Sequence, residues 1–515
     1  METWFLMAVT LCVAALINSL LGLLSASSGP KIPPGPMTIP ALGSITWIRK
    51  DFFDVESMIR SLHAKLGPIV ALHIGSYPMI YISSHSLAHQ ALIRNGAIFA
   101  DRPPAIPLVK IISCNQHSIS SASCGPMWRT LRRNLTAGIL HPTRVKSFSR
   151  ARRWVLGILL DQLRAAGPST AMQVAGHFRY AVFCLQVLMC FGDRLEERQI
   201  KDVQAVQTAL LLRAPRFAIL NFLPSIGKIL FRRQWDEFQK LLRNQENVFL
   251  PLIRARSAIR DNKTREDDSN AENVVCYVDT LLNLEMPEEG KRKLTEAEIL
   301  GLCLEFFIGA IDTTSSALQW IIANIVKYPA IQEALYCEIR AVVGHEAAAV
   351  EEDDLQKLPY PKAVILEGLR RHPPTNFMLP HAVTEDTELG GFLVPKKGTV
   401  NFMVTDMGRN PDVWEDPLAF KPERFLCNGD GSGGGAEVFD ITGTREIKMM
   451  PFGAGRRMCP AYALALLHLE YLMANLVWAL EWKAKDGDEV DLSEKQEVTV
   501  VMKNPLNAIV IPRAK

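Results

Sequence analysis

Cys459 closes a turn written Pro451-Phe452-Gly453-Ala454-Gly455-Arg456-Arg457-Met458-Cys459-Pro460, and an apolar helical stretch follows it. Two glycines and a proline let the chain fold back tightly under a flat ligand, and Pro460 predicts a helix start directly after the cysteine. A cysteine so placed faces free helix N–H groups and the positive end of the helix dipole, with Arg456 and Arg457 close in sequence. Each of these favours a thiolate, the state a metal ligand needs. One soft thiolate supplies one coordination bond, too few to close a zinc site, which takes four ligands at spacings such as C-x2-C. Gly453-x-Gly455 ahead of a helix is also half of a dinucleotide-binding loop, but the third glycine and the repeated strand-helix-strand pattern are missing.

A second group lies in the mostly apolar stretch 299–328, which reads as one long helix carrying Gly309-Ala310-Ile311-Asp312-Thr313-Thr314 in its middle. A carboxylate and two hydroxyls inside an apolar helix are costly unless something satisfies or uses them. Threonine also bonds back to the carbonyl four residues earlier, so a local bulge with a polar notch is expected there. Trp128 and Arg132 stand four apart and share one helix face, where an indole N–H and a guanidinium can hold a carboxylate. Glu367-Gly368-Leu369-Arg370 places acid and base three apart on another helix, and Pro422-Glu423-Arg424-Phe425 and Leu379-Pro380-His381 complete the candidates.

The elements that must position these residues are largely helical. Residues 145–252 show apolar spacing of three and four throughout, while 69–73 and 79–82, rich in β-branched and apolar residues, suggest a short hairpin. Residues 99–123 are irregular, 260–273 read as a surface loop, 429–435 as a glycine-rich surface insertion, and 498–502 and 508–511 as terminal strands. With 515 residues and 48% hydrophobic composition the chain can bury a large core. A net charge of +3 gives no electrostatic case for nucleic acid. Ten cysteines without repeating spacing suit a reducing compartment.

Residues 4–24 carry no charge and, as a helix, span ~30 Å of hydrocarbon. They predict a membrane helix, with a cleaved signal peptide as the competing reading because Ser25-Ala26-Ser27 offers small residues for cleavage. Glu2 before it and Lys31, Arg49 and Lys50 after it place the body of the protein on the cytoplasmic side. The prolines of residues 30–36 form a stiff strap.

The run Phe452-x-x-Gly455-x-Arg457-x-Cys459 resembles the haem-binding signature of the cytochromes P450, with Ala461 where that family usually has glycine. Gly309 to Thr314 resembles its oxygen-binding motif, with Ala310 at another usual glycine, and Glu367/Arg370 and residues 422–425 match its E-x-x-R and P-E-R-F motifs. Together with residues 440–452, the chain resembles a plant microsomal P450 of the A-type clan. The resemblance implies a mainly α fold: a helical haem domain with small β-sheets over residues 29–515, with a hinge at 29–50, preceded by one N-terminal transmembrane anchor at 1–28. It implies haem b (iron protoporphyrin IX) held by Cys459 as the metal ligand, with Trp128, Arg132, His381, Phe452 and Arg457 binding the cofactor and Thr313 and Asp312 catalytic. The implied activity is monooxygenation of an apolar small molecule by O2, with NADPH electrons from an NADPH-cytochrome P450 reductase. The implied location is the endoplasmic reticulum membrane, single-pass, with the catalytic domain cytoplasmic. Basic Arg129, Arg133, Arg445 and Lys448 are candidates for the reductase-docking face. An oxygen-independent isomerase or dehydratase, or a non-catalytic haem binder, is the alternative within the same fold.

Overall fold

The computed structural model describes residues 31–36, 55–74, 77–165, 167, 169–221, 224–263, 274–286, 290–426, 439–485 and 489–513. The anchor at 1–28, most of the hinge and the insertion at 429–435 lie outside them.

The body is built around the helix Glu296–Lys327. Its residues are apolar nearly all round, which makes it a buried helix rather than an amphipathic surface one. It starts sharply because Thr295 and Glu298 form a reciprocal capping box, the Thr295 N–H donating to the Glu298 carboxylate at 2.8 Å and the Glu298 N–H to Thr295 Oγ1 at 3.3 Å. It stops where Pro329 opens the next helix. Around it pack Ala175–Phe191, Pro359–Arg371 and the helix after the cysteine, Tyr462–Ala479. The long helix and Tyr462–Ala479 are each long and apolar enough to cross a membrane, yet both contribute heavily to the core.

The expected hairpin is present: Ile69–Ile74 pairs antiparallel with Tyr77–Ile82. Its second strand runs parallel to Thr399–Phe402, which in turn pairs with His381–Ala382, giving a four-stranded sheet. The terminal strands also form, Val500–Met502 beside Glu494–Gln496 and Asn507–Pro512 between Leu480–Ala484 and Ala171–Gln173. Two expectations are corrected. Residues 260–263 are the last turn of the helix Arg232–Lys263 rather than loop, because a helix already nucleated adds charged residues at little cost. The notch around Thr313 makes no bulge, and the α-helix is unbroken from Glu296 to Lys327. Thr313 Oγ1 donates to the Gly309 carbonyl at 2.8 Å, and a carbonyl with two lone pairs can take that bond beside its backbone one.

Glu367 and Arg370 form a fully buried two-pronged pair, each N–O distance 2.7 Å. Arg370 also donates to the carbonyls of Gly408, Pro417 and Ala419, Glu367 accepts the Lys421 N–H at 2.8 Å, and Arg424 Nε lies 3.5 Å from Glu367. This staples the Pro359–Arg371 helix to the chain that leads into the cysteine turn. Replacing Arg370 by Leu leaves Glu367 as a buried charge with most of its compensation gone, and about 3–5 kcal/mol of stability is expected to be lost. The check is the shift in denaturant midpoint of the haem-loaded protein.

Candidate active site

The turn before Cys459 depends on backbone that most residues avoid. Gly453 and Gly455 have φ of 72° and 71°, and a Cβ on Gly455 would lie 2.1 Å from the Leu92 carbonyl oxygen. The turn is closed by the Cys459 N–H donating to the Phe452 carbonyl at 2.8 Å. The helix begins at Tyr462 rather than at Pro460, because a residue before proline is kept out of the helical region and the turn needs two further residues. Ala461, at φ −98°, needs no glycine there.

The charge around Cys459 differs from the sequence expectation. Burial pushes its thiol above the ordinary range, while the Ala461 N–H and the Arg132 guanidinium pull it back. The cation acting on the sulfur is thus Arg132, which donates to the Met458 carbonyl at 2.7 Å, and not Arg456 or Arg457. Arg457 turns away, donating to the carbonyls of Ala100 at 2.6 Å, Ile119 at 3.3 Å and Ala122 at 2.6 Å.

Arg457 joins a cluster on the loop side of the turn. Its guanidinium sits 4.2 Å from the Trp128 ring centre, and Arg132 lies 5.6 Å from the same ring. Trp128 and Arg132 share the helix Pro126–Gly138, as their spacing predicts. His381 Nδ1 lies 2.6 Å from the Phe99 carbonyl, and that contact is a hydrogen bond only if Nδ1 carries the proton. Arg102, which the sequence reading missed, donates to the carbonyls of Ser120 at 2.7 Å, Leu379 at 2.9 Å and Pro380 at 2.8 Å. It stands in the irregular stretch where periodicity carries no signal, and only its place in Asp101-Arg102-Pro103 marks it.

These groups pay for desolvation with depressed basicity. Burial and the neighbouring Arg457 lower Arg102 to about 9, burial lowers Arg457 to about 10, and burial with Arg102 brings His381 to about 3. Among the described residues none of Arg102, Arg132 and Arg457 forms an ion pair, and Trp128 Nε1 and His381 Nε2 are buried without a hydrogen-bond partner. Buried cations and orphaned ring nitrogens of this kind fit a ligand that brings its own carboxylates. The thiol nearby and the glycine turn beneath fit a flat group carrying a metal.

Along the long helix, Gly309 is exposed and Ala310, Asp312 and Thr313 half-exposed, in a stretch where most other residues are buried. Arg179 Nε donates to Asp312 at 2.8 Å and Arg179 Nη2 to Thr208 Oγ1 at 3.1 Å. Asp312 therefore has a cation partner, and Thr313 is bonded back to its own helix.

A helical body with small sheets, a thiol in a glycine turn and an anion-seeking cluster beside it fit a haem protein. The model of the family described as Cytochrome P450 matches residues 33–511, and the chain belongs to that family. It is 50% identical over 526 residues to cytochrome P450 89A9 of Arabidopsis thaliana, covering 99% of this chain and all of that one. It is 29% identical to a flavonoid 3'-monooxygenase of the same plant, covering 93% of this chain and 91% of that protein. A solved zebra fish cytochrome P450 with progesterone superposes with a TM-score of 0.72 at 20% identity, over 89% of this chain and 99% of that one, and shows the fold. The family's cofactor is protoporphyrin IX haem iron, and the chain is an oxidoreductase of the monooxygenase type.

Replacing Trp128 by Phe removes the indole N–H while keeping the ring under Arg457. The variant is expected to lose haem to excess apomyoglobin on the order of tenfold faster than the parent, the scale of one hydrogen bond to a charged group. Transfer followed by Soret absorbance is the check.

Proposed function

We propose that Cys459 is the metal ligand of the haem and that Trp128, Arg132, Arg457 and His381 hold its carboxylates, with Phe452 packed at the turn. The observation that carries this is the cluster of buried cations and unpartnered ring nitrogens beside a thiol-bearing glycine turn. His381 Nε2, buried without a partner, is the group on this residue that faces a haem carboxylate, although burial and Arg102 hold the ring neutral in the absence of one. With Nδ1–H given to Phe99, its Nε2 donates only when protonated, and an adjacent carboxylate favours that state. Arg102 is added to the set on its position between the 379–380 carbonyls and the Ser120 carbonyl.

When bound, the thiolate-ligated haem supplies oxygen activation with electrons from outside the protein. This chain's part is to admit protons at one place while excluding water elsewhere. Thr313 has donated its hydroxyl proton to Gly309, so its oxygen is left to accept from a water molecule. Asp312 is oriented by Arg179, and the line Asp312, Arg179, Thr208 runs from the long helix towards the helix Glu197–Arg213. We assign Thr313 the water-holding role and Asp312 the proton relay.

The reductase and NADPH enter as the expected electron source. Arg129, Arg133, Arg445 and Lys448 are exposed and are the basic residues we assign to steering an acidic partner. Membrane attachment is supported by an apolar surface in the described body. The helix Pro107–Ile112 packs on the segment Ala214–Asn221, with Leu108 N–H bonded to Asn221 at 3.0 Å. Ile106, Ile111, Leu212, Ile229 and Leu230 on these segments and their continuations are exposed. With residues 1–28 as anchor, this body would rest on the cytoplasmic face of the endoplasmic reticulum membrane.

Substrate turnover is expected to require NADPH, reductase and O2 together; product formed in their absence would favour the oxygen-independent reading. Thr313→Ala is expected to keep haem and substrate binding while product per NADPH consumed falls by about a hundredfold, the lower end of a lost proton-transfer contribution. Coupling equal to the parent's would leave Thr313 with only its helix bond.

A further inference from the structure

Glu305 lies two helical turns before Thr313, on the long helix, and is used by none of the roles above. Its two carboxylate oxygens accept from two successive backbone amides of the loop, Ile119 N–H at 2.9 Å and Ser120 N–H at 2.6 Å. The carbonyls of the same two residues are occupied as well. The Ile119 carbonyl accepts from Arg457 and the Ser120 carbonyl from Arg102, at 3.3 and 2.7 Å. The peptide unit joining Ile119 to Ser120 is thus bonded to a carboxylate through its N–H and to a guanidinium through its C=O. An amide held at both ends by opposite charges is polarised, and each bond strengthens the other.

On either side the loop is held by short-range bonds, Ser118 Oγ to Ser121 Oγ at 2.6 Å and the Ala122 N–H to the Ser118 carbonyl at 3.0 Å. It is also held by His117 against Glu298 at 2.7 Å, but the amides of Ile119 and Ser120 are taken by Glu305. The loop carries three successive left-handed residues, Cys114, Asn115 and Gln116, at φ of 48°, 62° and 66°, and no described regular element lies between Ile112 and Pro126. Gln116 ties its near end, donating to the Pro103 and Ser121 carbonyls. Glu305 is also a negative charge that supports Arg102 in its cationic form.

We propose that Glu305 is a positioning residue for the cofactor edge. It clamps Ile119 and Ser120 so that their carbonyls aim Arg102 and Arg457, and it supplies part of the negative potential that keeps Arg102 charged. The long helix and the carboxylate-binding cluster are then joined mechanically through one peptide unit. This rests on the reading that Arg102 and Arg457 face the haem carboxylates.

The test uses the ferric holoenzyme and Glu305→Gln, which keeps the shape, removes the charge and leaves one acceptor for two amides. Hydrogen exchange of the Ile119 and Ser120 amides is expected to quicken by about tenfold or more, the scale of a charge-assisted bond. The resonance Raman bands of the haem propionate bending modes are expected to move, which a loss of stability alone would not do. Unchanged exchange at both amides, or an unmoved propionate band, overturns the proposal. If the variant does not accumulate with haem, the parent decides it. Protection of both amides by about tenfold or more over an unstructured chain is then required, and exchange at the unstructured rate overturns the proposal. A parent protein without haem absorption would instead refute the cofactor reading on which the inference rests.

Discussion

Positive charge buried without matching negative charge is the constraint on which this site depends. Arg102 and Arg457 keep 8% and 7% of their surface exposed and are held by backbone carbonyls rather than by carboxylates. Carbonyl dipoles compensate a guanidinium only partly, which is why burial pulls both groups below their ordinary basicity. Such an arrangement stabilises the fold poorly on its own and becomes favourable when an anion completes it. A flat cofactor with two carboxylates would settle this imbalance. The same anions would accept a hydrogen bond from the unpartnered indole N–H of Trp128.

The rest of the molecule keeps that cluster in place. Its arginines come from a loop, from the helix Pro126–Gly138 and from the cysteine turn, so their convergence relies on tertiary packing rather than on any one element. The buried Glu367 and Arg370 pair fixes the approach to the cysteine turn, and Glu305 fixes the loop. The two cases differ in kind. Glu367 meets an arginine directly, whereas Glu305 acts through peptide groups, leaving the arginine fork pointed elsewhere.

Much of this was legible in the chain. Cys459, Trp128 and Arg132 are marked by spacing, and the helix that carries Asp312 and Thr313 by an apolar run too long for a strand. The hairpin of Ile69–Ile74 and Tyr77–Ile82 follows from two short runs rich in β-branched and apolar residues. What could not be read was direction. Arg457 precedes Cys459 by two residues and yet bonds to residues 100, 119 and 122, while Arg132, far away in sequence, supplies the charge felt by the sulfur. Arg102 and Glu305 were invisible for the same reason: an irregular loop has no period, and a carboxylate on a helix does not announce that its partners are backbone amides. Thr313 shows the opposite failure, since the back-bond was foreseen but not that the helix would absorb it without a bulge.

The decisive measurement is the absorption spectrum of the reduced protein under carbon monoxide, for the parent and for Cys459→Ser. Thiolate ligation by Cys459 predicts a strongly red-shifted Soret band in the parent and its loss in the variant, with haem still held by the carboxylate-binding cluster. A variant that keeps the red-shifted band would contradict the assignment of Cys459, and a parent that never shows it would contradict thiolate ligation itself.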